Sequence, residues 1–127
     1  MISEFLKKAQ ENLMAAQLCF ERECYNACAN RIYYAALQAA VAAIAAEGIK
    51  QDKVDHKQAQ SDFNGQLIYR RKRYPAKFRT YLSDMQVLRN QADYTTEPVS
   101  RKVAERWLAR AVEFVTHIVK ELNEYEL

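Results

Sequence analysis

Polar side chains that could hold a phosphate lie in two predicted helical segments. Arg31 lies in an alanine-rich segment, and Arg89 precedes Asp93 by one helical turn further along the chain. A charged arginine on an apolar helix is costly to bury without a carboxylate partner, and we expect Asp93 to pair with Arg31. The cluster would form either a structural ion pair or a phosphate-binding cleft, since perturbed charges mark both. The residues expected in this polar cleft are Arg31, Tyr34, Asn90 and Asp93, with Arg89 and Tyr94 beside them.

A second candidate is a run of cations in the middle of the chain. Between positions 70 and 79 the cations are Arg70, Arg71, Lys72, Arg73, Lys77 and Arg79, and positions 63–83 contain no acid. Tyr69 and Tyr74 stand among them. Cations that neutralise phosphates, beside rings that stack on bases, are the components of single-strand binding. The same pattern fits a helix with solvated cations outside and aromatic residues in the core, so both interpretations stay open.

Cysteine and histidine are too few to predict a metal site. Cys24 and Cys28 lie one helical turn apart, with Cys19 and His56 as the possible further ligands. A structural zinc site usually needs two such pairs. The chain also has no glycine-rich phosphate loop and no serine nucleophile elbow. The sequence therefore predicts no metal and no cofactor.

The composition favours long helices over strands. The chain has 127 residues, of which 50% are hydrophobic and 28% charged, with only two glycines and two prolines. So few turn-forming residues disfavour an all-β fold. The length fits one domain over residues 1–127. The fold class predicted is therefore all-α.

Three features predict a cytoplasmic protein with no membrane segment. The N-terminus lacks the basic and apolar regions of a secretory signal. The longest apolar run covers residues 39–46, whereas a membrane-spanning helix needs about 20 residues. The three cysteines are an odd number, which argues against a disulfide framework.

Apolar periodicity and capping residues place four long helices and one short helix. The first begins with Ser3 as N-cap and ends near Arg22. The second runs from about Cys24 to Glu47, with Gly48 after its end, and its alanine-rich surface predicts a central position. Its polar residues need partners inside the bundle, namely Asn26, Asn30, Arg31 and Gln38.

The remaining helices follow a loop at residues 49–55. A short helix extends through Leu67 and Tyr69, weakened at Asn64–Gly65. The fourth helix has Pro75 in its first turn and ends near Tyr94, and Ser100 caps the last. The architecture predicted is an up-and-down bundle of four long helices plus one short helix.

Three sequence elements together resemble the HEPN superfamily of nucleotide- and RNA-associated proteins. Arg31–Ala35 (RIYYA) resembles the R-x-Y-Y-A element of small prokaryotic HEPN proteins, and His56 stands where they often carry a histidine. Leu88–Tyr94 (LRNQADY) resembles their R-x-x-A-D-Y element. Ala111–Val115 (AVEFV) resembles the A-x-x-F-V segment of their last helix. The resemblance extends from Phe5 to Ile118.

The resemblance implies a helical bundle that commonly forms a homodimer. Such proteins are often encoded beside a minimal nucleotidyltransferase, as the toxin-like half of a toxin–antitoxin pair. Active members are metal-independent endoribonucleases that use an arginine followed, four to six residues later, by a histidine. Here Arg89 matches the arginine, but Tyr94 stands at the histidine position. A phenol, with a pKa of about 10, is a poor general base. The catalytic candidates are therefore Arg89, Tyr94 and His56.

Three functions remain as interpretations of the sequence. The first is an RNA- or nucleotide-associated HEPN module that acts with a nucleotidyltransferase-type partner. The second is an active endoribonuclease, in which Arg89 stabilises the pentacovalent phosphate and His56 or Tyr94 assists. The third is a structural dimerisation domain without a nucleic-acid ligand.

Overall fold

Helices form most of the chain in the computed structural model, which describes residues 2–50 and 55–125. The five α-helices, numbered in chain order, are α1 (Ile2–Glu21), α2 (Tyr25–Ala46), α3 (His56–Asp62), α4 (Tyr81–Tyr94) and α5 (Arg101–Tyr125). A π-helical segment, Phe63–Arg70, continues α3, and a 3₁₀ turn, Ala76–Thr80, precedes α4. The described residues contain no β-strand. The all-α prediction of four long helices and one short helix is confirmed.

The alanine-rich helix α2 is the centre of the bundle. It packs against α1, α4 and α5, as well as α3, and 13 of its 22 residues are buried. Most of these are alanines, whose small side chains let neighbouring helices approach closely. Tyr33 is the largest fully buried side chain of the core. Among the polar residues of α2, Asn30, Arg31 and Gln38 are half-buried, and Asn26 near its start is exposed.

Two of the three predicted capping residues are confirmed. Gly48 follows the end of α2 with a φ of +77°, a left-handed conformation that glycine adopts without steric cost. At the start of α5 the backbone N–H of Val103 donates to the Ser100 hydroxyl at 3.2 Å. The prediction for Ser3 is wrong: α1 begins at Ile2, so Ser3 lies within its first turn.

The short helix changes type close to its predicted weak point. Asp55 caps α3 by accepting a hydrogen bond from the backbone N–H of Gln58 at 3.0 Å. The chain becomes π-helical at Phe63, just before Asn64–Gly65. Positions 51–54 of the predicted loop lie outside the described residues. The π-helical segment ends at a tight turn, where Lys72 has a φ of +53° and the N–H of Arg73 donates to the carbonyl of Leu67 at 2.8 Å.

The fourth helix starts later than the sequence predicts. Pro75 has an extended ψ of 149° and lies before the helical residues. The N–H of Phe78 donates to the Pro75 carbonyl at 3.0 Å, which is the i→i+3 bond of a 3₁₀ turn. The α-helical part consequently begins at Tyr81. None of the helices among residues 2–50 and 55–125 combines the length and hydrophobicity needed to cross a bilayer.

Candidate functional site

Arg89 on α4 lies between two tyrosine rings. Its guanidinium carbon is 5.4 Å from the ring centroid of Tyr34 on α2 and 5.1 Å from that of Tyr94. Its Nε donates to Asp93 Oδ2 at 3.0 Å, and Nη2 donates to the Tyr94 hydroxyl at 3.1 Å. The side chain of Arg89 is only 16% exposed. This arginine is therefore held in a fixed orientation at the edge of the bundle.

The Arg89 guanidinium keeps hydrogen-bonding capacity for a ligand. It has five N–H donors, of which two are used by Asp93 and Tyr94, and a third makes a long 3.5 Å contact with Asn90 Oδ1. Desolvation lowers the pKa of Arg89, but Tyr34, Tyr94 and Asp93 outweigh it and raise that pKa. The group is therefore a permanent cation with at least two donors left over.

A hydrogen-bond network links this site to the other side of α2. Asp93 Oδ2 also accepts from Asn30 Nδ2 at 2.8 Å, and Asn30 Oδ1 accepts from Arg31 Nε at 2.9 Å. Arg31 Nη1 in turn donates to Asn12 Oδ1 on α1 at 2.7 Å. Three helices are thus joined by amide and carboxylate oxygens that orient two arginines.

The expected ion pair between Arg31 and Asp93 is wrong. Arg31 donates to Asn30 and Asn12 instead, and Asp93 pairs with Arg89. The reason is that successive helical residues point about 100° apart, so Asn30 faces α4 while Arg31 faces α1. Arg31 is also only half-buried, and the described residues include no fully buried charge. Amide oxygens are sufficient partners for a partly solvated guanidinium.

His56, at the start of α3, joins the cluster through its ring contacts. Its ring centroid lies 5.4 Å from that of Tyr33 and 6.0 Å from that of Tyr34. Tyr34 therefore contacts Arg31, Arg89 and His56 together. Burial raises the pKa of Tyr33 to about 12, which keeps this hydroxyl protonated and unsuitable as a base. The structure brings together the predicted cleft and catalytic residues, namely Arg31, Tyr34, His56, Arg89, Asn90, Asp93 and Tyr94.

A comparison with protein families identifies the chain. The family model for the HEPN domain matches residues 2–122. This chain belongs to the HEPN family. A search of curated proteins found no match. HEPN domains are generally related to nucleotides or RNA and often dimerise, so the coarse function of this chain is that of a nucleotide- or RNA-related module.

In the arginine–histidine motif of active HEPN members, this chain has the arginine, Arg89, but has Tyr94 at the histidine position. The hydroxyl of Tyr94 occupies the partner position and accepts a hydrogen bond from Arg89. Tyr94 is 71% exposed, so a ligand can reach it. An imidazole from another helix, that of His56, contacts the same Tyr34 ring as Arg89.

Half of the cations in the basic segment are paired with acids that the sequence interpretation did not consider. Glu47, at the end of α2, accepts from Arg71 at 3.0 Å and from Arg73 at 2.9 Å. Lys77 pairs with Glu113 on α5. The other three cations have no carboxylate partner within the described chain, namely Arg70, Lys72 and Arg79. The pairing acids are distant in sequence, so only the folded chain reveals them.

The structure also shows which polar residues sequence reasoning missed. Asn12 on α1 was not considered, although it holds Arg31 and donates to Gln38 at 2.7 Å. The requirement that the polar residues of α2 find partners is confirmed, since Asn26 accepts from the backbone N–H of Val99 at 2.9 Å. The sequence signal that could have predicted a partner for Arg31 was a polar residue, Asn12, on the otherwise amphipathic first helix. Among residues 2–50 and 55–125, no three histidine, cysteine or acidic side chains cluster as metal ligands.

Proposed function

We propose that this chain is an RNA- or nucleotide-associated HEPN module that binds a phosphate group at Arg89. The observation that carries this proposal is the setting of Arg89, a fixed cation with unused donors between the rings of Tyr34 and Tyr94. A guanidinium binds phosphate through two parallel hydrogen bonds. The neighbouring rings offer faces on which a base can stack.

Binding of a fluorescent single-stranded RNA by the full chain tests this role. Hydrogen bonds to a charged group contribute about 1.5–3 kcal/mol, so Arg89→Ala should weaken binding by about 10- to 100-fold. Arg89→Lys should recover part of the loss, because the charge returns without the two-donor geometry. Arg106, an exposed arginine on α5, supplies the control, and Arg106→Ala removes the same charge away from the site. Equal affinities of the Arg89→Ala and Arg106→Ala variants would contradict the proposal.

A second candidate is metal-independent endoribonuclease activity, favoured by the position of His56. The imidazole packs against the same Tyr34 ring that Arg89 covers. Imidazole titrates near neutral pH, whereas a phenol does not. In this reaction His56 would accept the proton of the attacking ribose 2′-hydroxyl, and Arg89 would stabilise the pentacovalent phosphate. The leaving 5′-oxygen then takes up a proton, for which Tyr94 is the available donor.

Cleavage of an RNA substrate in the presence of excess EDTA tests the enzymatic candidate. His56→Ala and Arg89→Ala should both abolish cleavage, while only the arginine variant should weaken RNA binding. Tyr94→Phe should reduce the rate less than either, because water can protonate the leaving group. Absence of cleavage by the parent chain would leave the binding function alone. Absence of both cleavage and affinity would favour a structural dimerisation domain.

We further propose, from the family resemblance, that a nucleotidyltransferase-type protein is the partner and that this chain is the toxin-like half of the pair. Where the adjacent gene encodes a nucleotidyltransferase, its co-expression with this chain should yield a complex that copurifies in fixed proportion. Expression of this chain alone should slow growth, and the partner should relieve the effect. Normal growth without the partner would contradict the toxin-like role.

A further inference from the structure

A groove separate from the Arg89 site lies beside the π-helical segment. Its volume is about 800 Å³, and its wall includes residues from the π-helical segment, the 3₁₀ turn and α5. Ligand sites typically range from about 300 to 1,000 Å³, so the groove can hold a molecule the size of a nucleotide. Among its lining residues are Tyr69, Lys72, Arg79 and His117.

Tyr69 is the exposed aromatic residue of this region. It is 81% exposed, whereas Tyr74 is 5% exposed and Phe78 is fully buried. The segment therefore places two aromatic side chains in or near the core and leaves one ring in the groove. An exposed ring beside cations is the component that stacks on a nucleobase.

Two of the cations without an acidic partner line the same groove. Lys72 and Arg79 have no carboxylate partner within the described chain, unlike Arg71 and Arg73, which bind Glu47. Asn64 donates to the backbone carbonyl of Arg79 at 2.9 Å and so fixes the 3₁₀ turn against the π-helical segment. The positive charge at the groove is consequently available for an anion.

The backbone at Lys72 adopts an uncommon conformation. Its φ of +53° lies in the left-handed region, where a residue other than glycine, asparagine or aspartate is uncommon. That conformation costs a lysine about 1–2 kcal/mol. The turn therefore places a charged side chain, and not a glycine, at the edge of the groove.

We propose that the groove binds a nucleoside phosphate, with the base stacked on Tyr69 and the phosphate held by Lys72 and Arg79. The nucleoside phosphate is either a free nucleotide or one residue of a single-stranded RNA, because both present the same base and phosphate. No bond is made or broken, so the site is a binding site only.

The groove and the Arg89 site are independent. Arg89 packs on Tyr34, while Glu47 at the end of α2 anchors Arg71 and Arg73 beside the groove. Glu47 lies thirteen positions after Tyr34, and at 1.5 Å per residue this is about 20 Å along the helix. Either site can therefore fail its test without affecting the other.

Titration calorimetry of the full chain with three probes tests the groove: 5′-AMP, inorganic phosphate, and a 12-nucleotide single-stranded RNA. The variants are Tyr69→Ala, Lys72→Asn and Arg79→Gln. Asparagine adopts the left-handed conformation readily, so Lys72→Asn removes the charge and keeps the turn. Arg106→Gln is the matched control, because it removes one exposed charge on α5 that does not line the groove. Circular dichroism shows whether each variant keeps its helices.

Tyr69→Ala should weaken binding of 5′-AMP at least fivefold, as expected for loss of one stacked base, and Arg106→Gln should not change it. For the RNA, Lys72→Asn combined with Arg79→Gln should flatten the slope of log K against log salt by about 1.4, or about 0.7 for each phosphate contact. Binding of both 5′-AMP and RNA identifies a nucleotide site, and binding of RNA alone identifies a strand site. Affinity for inorganic phosphate equal to that for 5′-AMP would overturn the stacking role. Parent-like binding of every probe by the Tyr69 and Lys72 variants would overturn the site altogether.

Discussion

Removal of the Asp93 carboxylate tests how the Arg89 site is held together. The perturbation is Asp93→Ala, analysed together with Asn30→Ala and the double variant. Asp93 accepts hydrogen bonds from Asn30 at 2.8 Å and from Arg89 at 3.0 Å. Its side chain is 26% exposed, so solvent weakens both interactions but does not remove them.

The expected magnitude follows from four contributions. An i,i+4 ion pair such as Arg89–Asp93 contributes about 0.3–0.5 kcal/mol. The Asn30 bond to a carboxylate contributes about 1–2 kcal/mol after allowance for exposure. Against these, Asp93 lies at the negative end of the α4 dipole, which costs about 0.5 kcal/mol, and alanine favours the helix by about 0.5 kcal/mol over aspartate. Asp93→Ala should therefore destabilise the chain by about 1 kcal/mol, lowering Tm by about 2–5 °C.

Urea unfolding of the four proteins isolates the pairwise interaction. The coupling free energy between Asn30 and Asp93 should be about 1 kcal/mol, because the dipole and helix-propensity terms cancel in the cycle. Asp84, the acidic residue in the first turn of α4, gives the matched control, since an Asn30–Asp84 cycle should show no coupling. A Tm that rises in Asp93→Ala, or a coupling below about 0.3 kcal/mol, would refute the network as a stabilising connection between α2 and α4.

Three further predictions concern pH and assembly. Burial raises the pKa of the Cys28 thiol to about 12 from its usual 9.0, and that of Tyr33 to about 12. Above pH 9 the native chain therefore keeps protons that the unfolded chain releases. The free energy of unfolding should fall by up to about 1.4 kcal/mol per pH unit for each group. In urea unfolding, Cys28→Ala should remove the loss of stability that begins near pH 9. Hydrogen bonds from Lys77 and Tyr81 lower the pKa of Glu113. The small stabilising effect of the Glu113 carboxylate should therefore be present above its usual pKa and be lost as the pH falls. Glu113→Gln should reduce the dependence of unfolding free energy on pH in the acid range. Sedimentation at micromolar concentration should give a homodimer of about twice 14.8 kDa, and a species of 14.8 kDa alone would count against it.

The local chemistry of the sequence determined the helices and most of their ends. Glycine and proline are rare, the apolar residues repeat at helical spacing, and α2 is apolar almost all round, which places it in the centre. Gly48 and Ser100 act where they stand because capping depends on neighbours within a few residues. The same local chemistry was insufficient at Ser3, which lies inside the first turn of α1, and at Pro75, which a 3₁₀ turn separates from α4.

The partners of each charge were decided by the tertiary structure. Sequence spacing put Arg89 next to Asp93, since both belong to one helix, but it could not show that Asn30 rather than Arg31 faces that pair. Glu47 and its partner Arg71 are 24 residues apart, and their contact depends on how the π-helical segment returns to the end of α2. Side-chain direction is fixed by helix rotation and packing, which are properties of the whole bundle. The residue types of the proposed phosphate site can therefore be read from the sequence, whereas the availability of each cation is decided only when the helices pack.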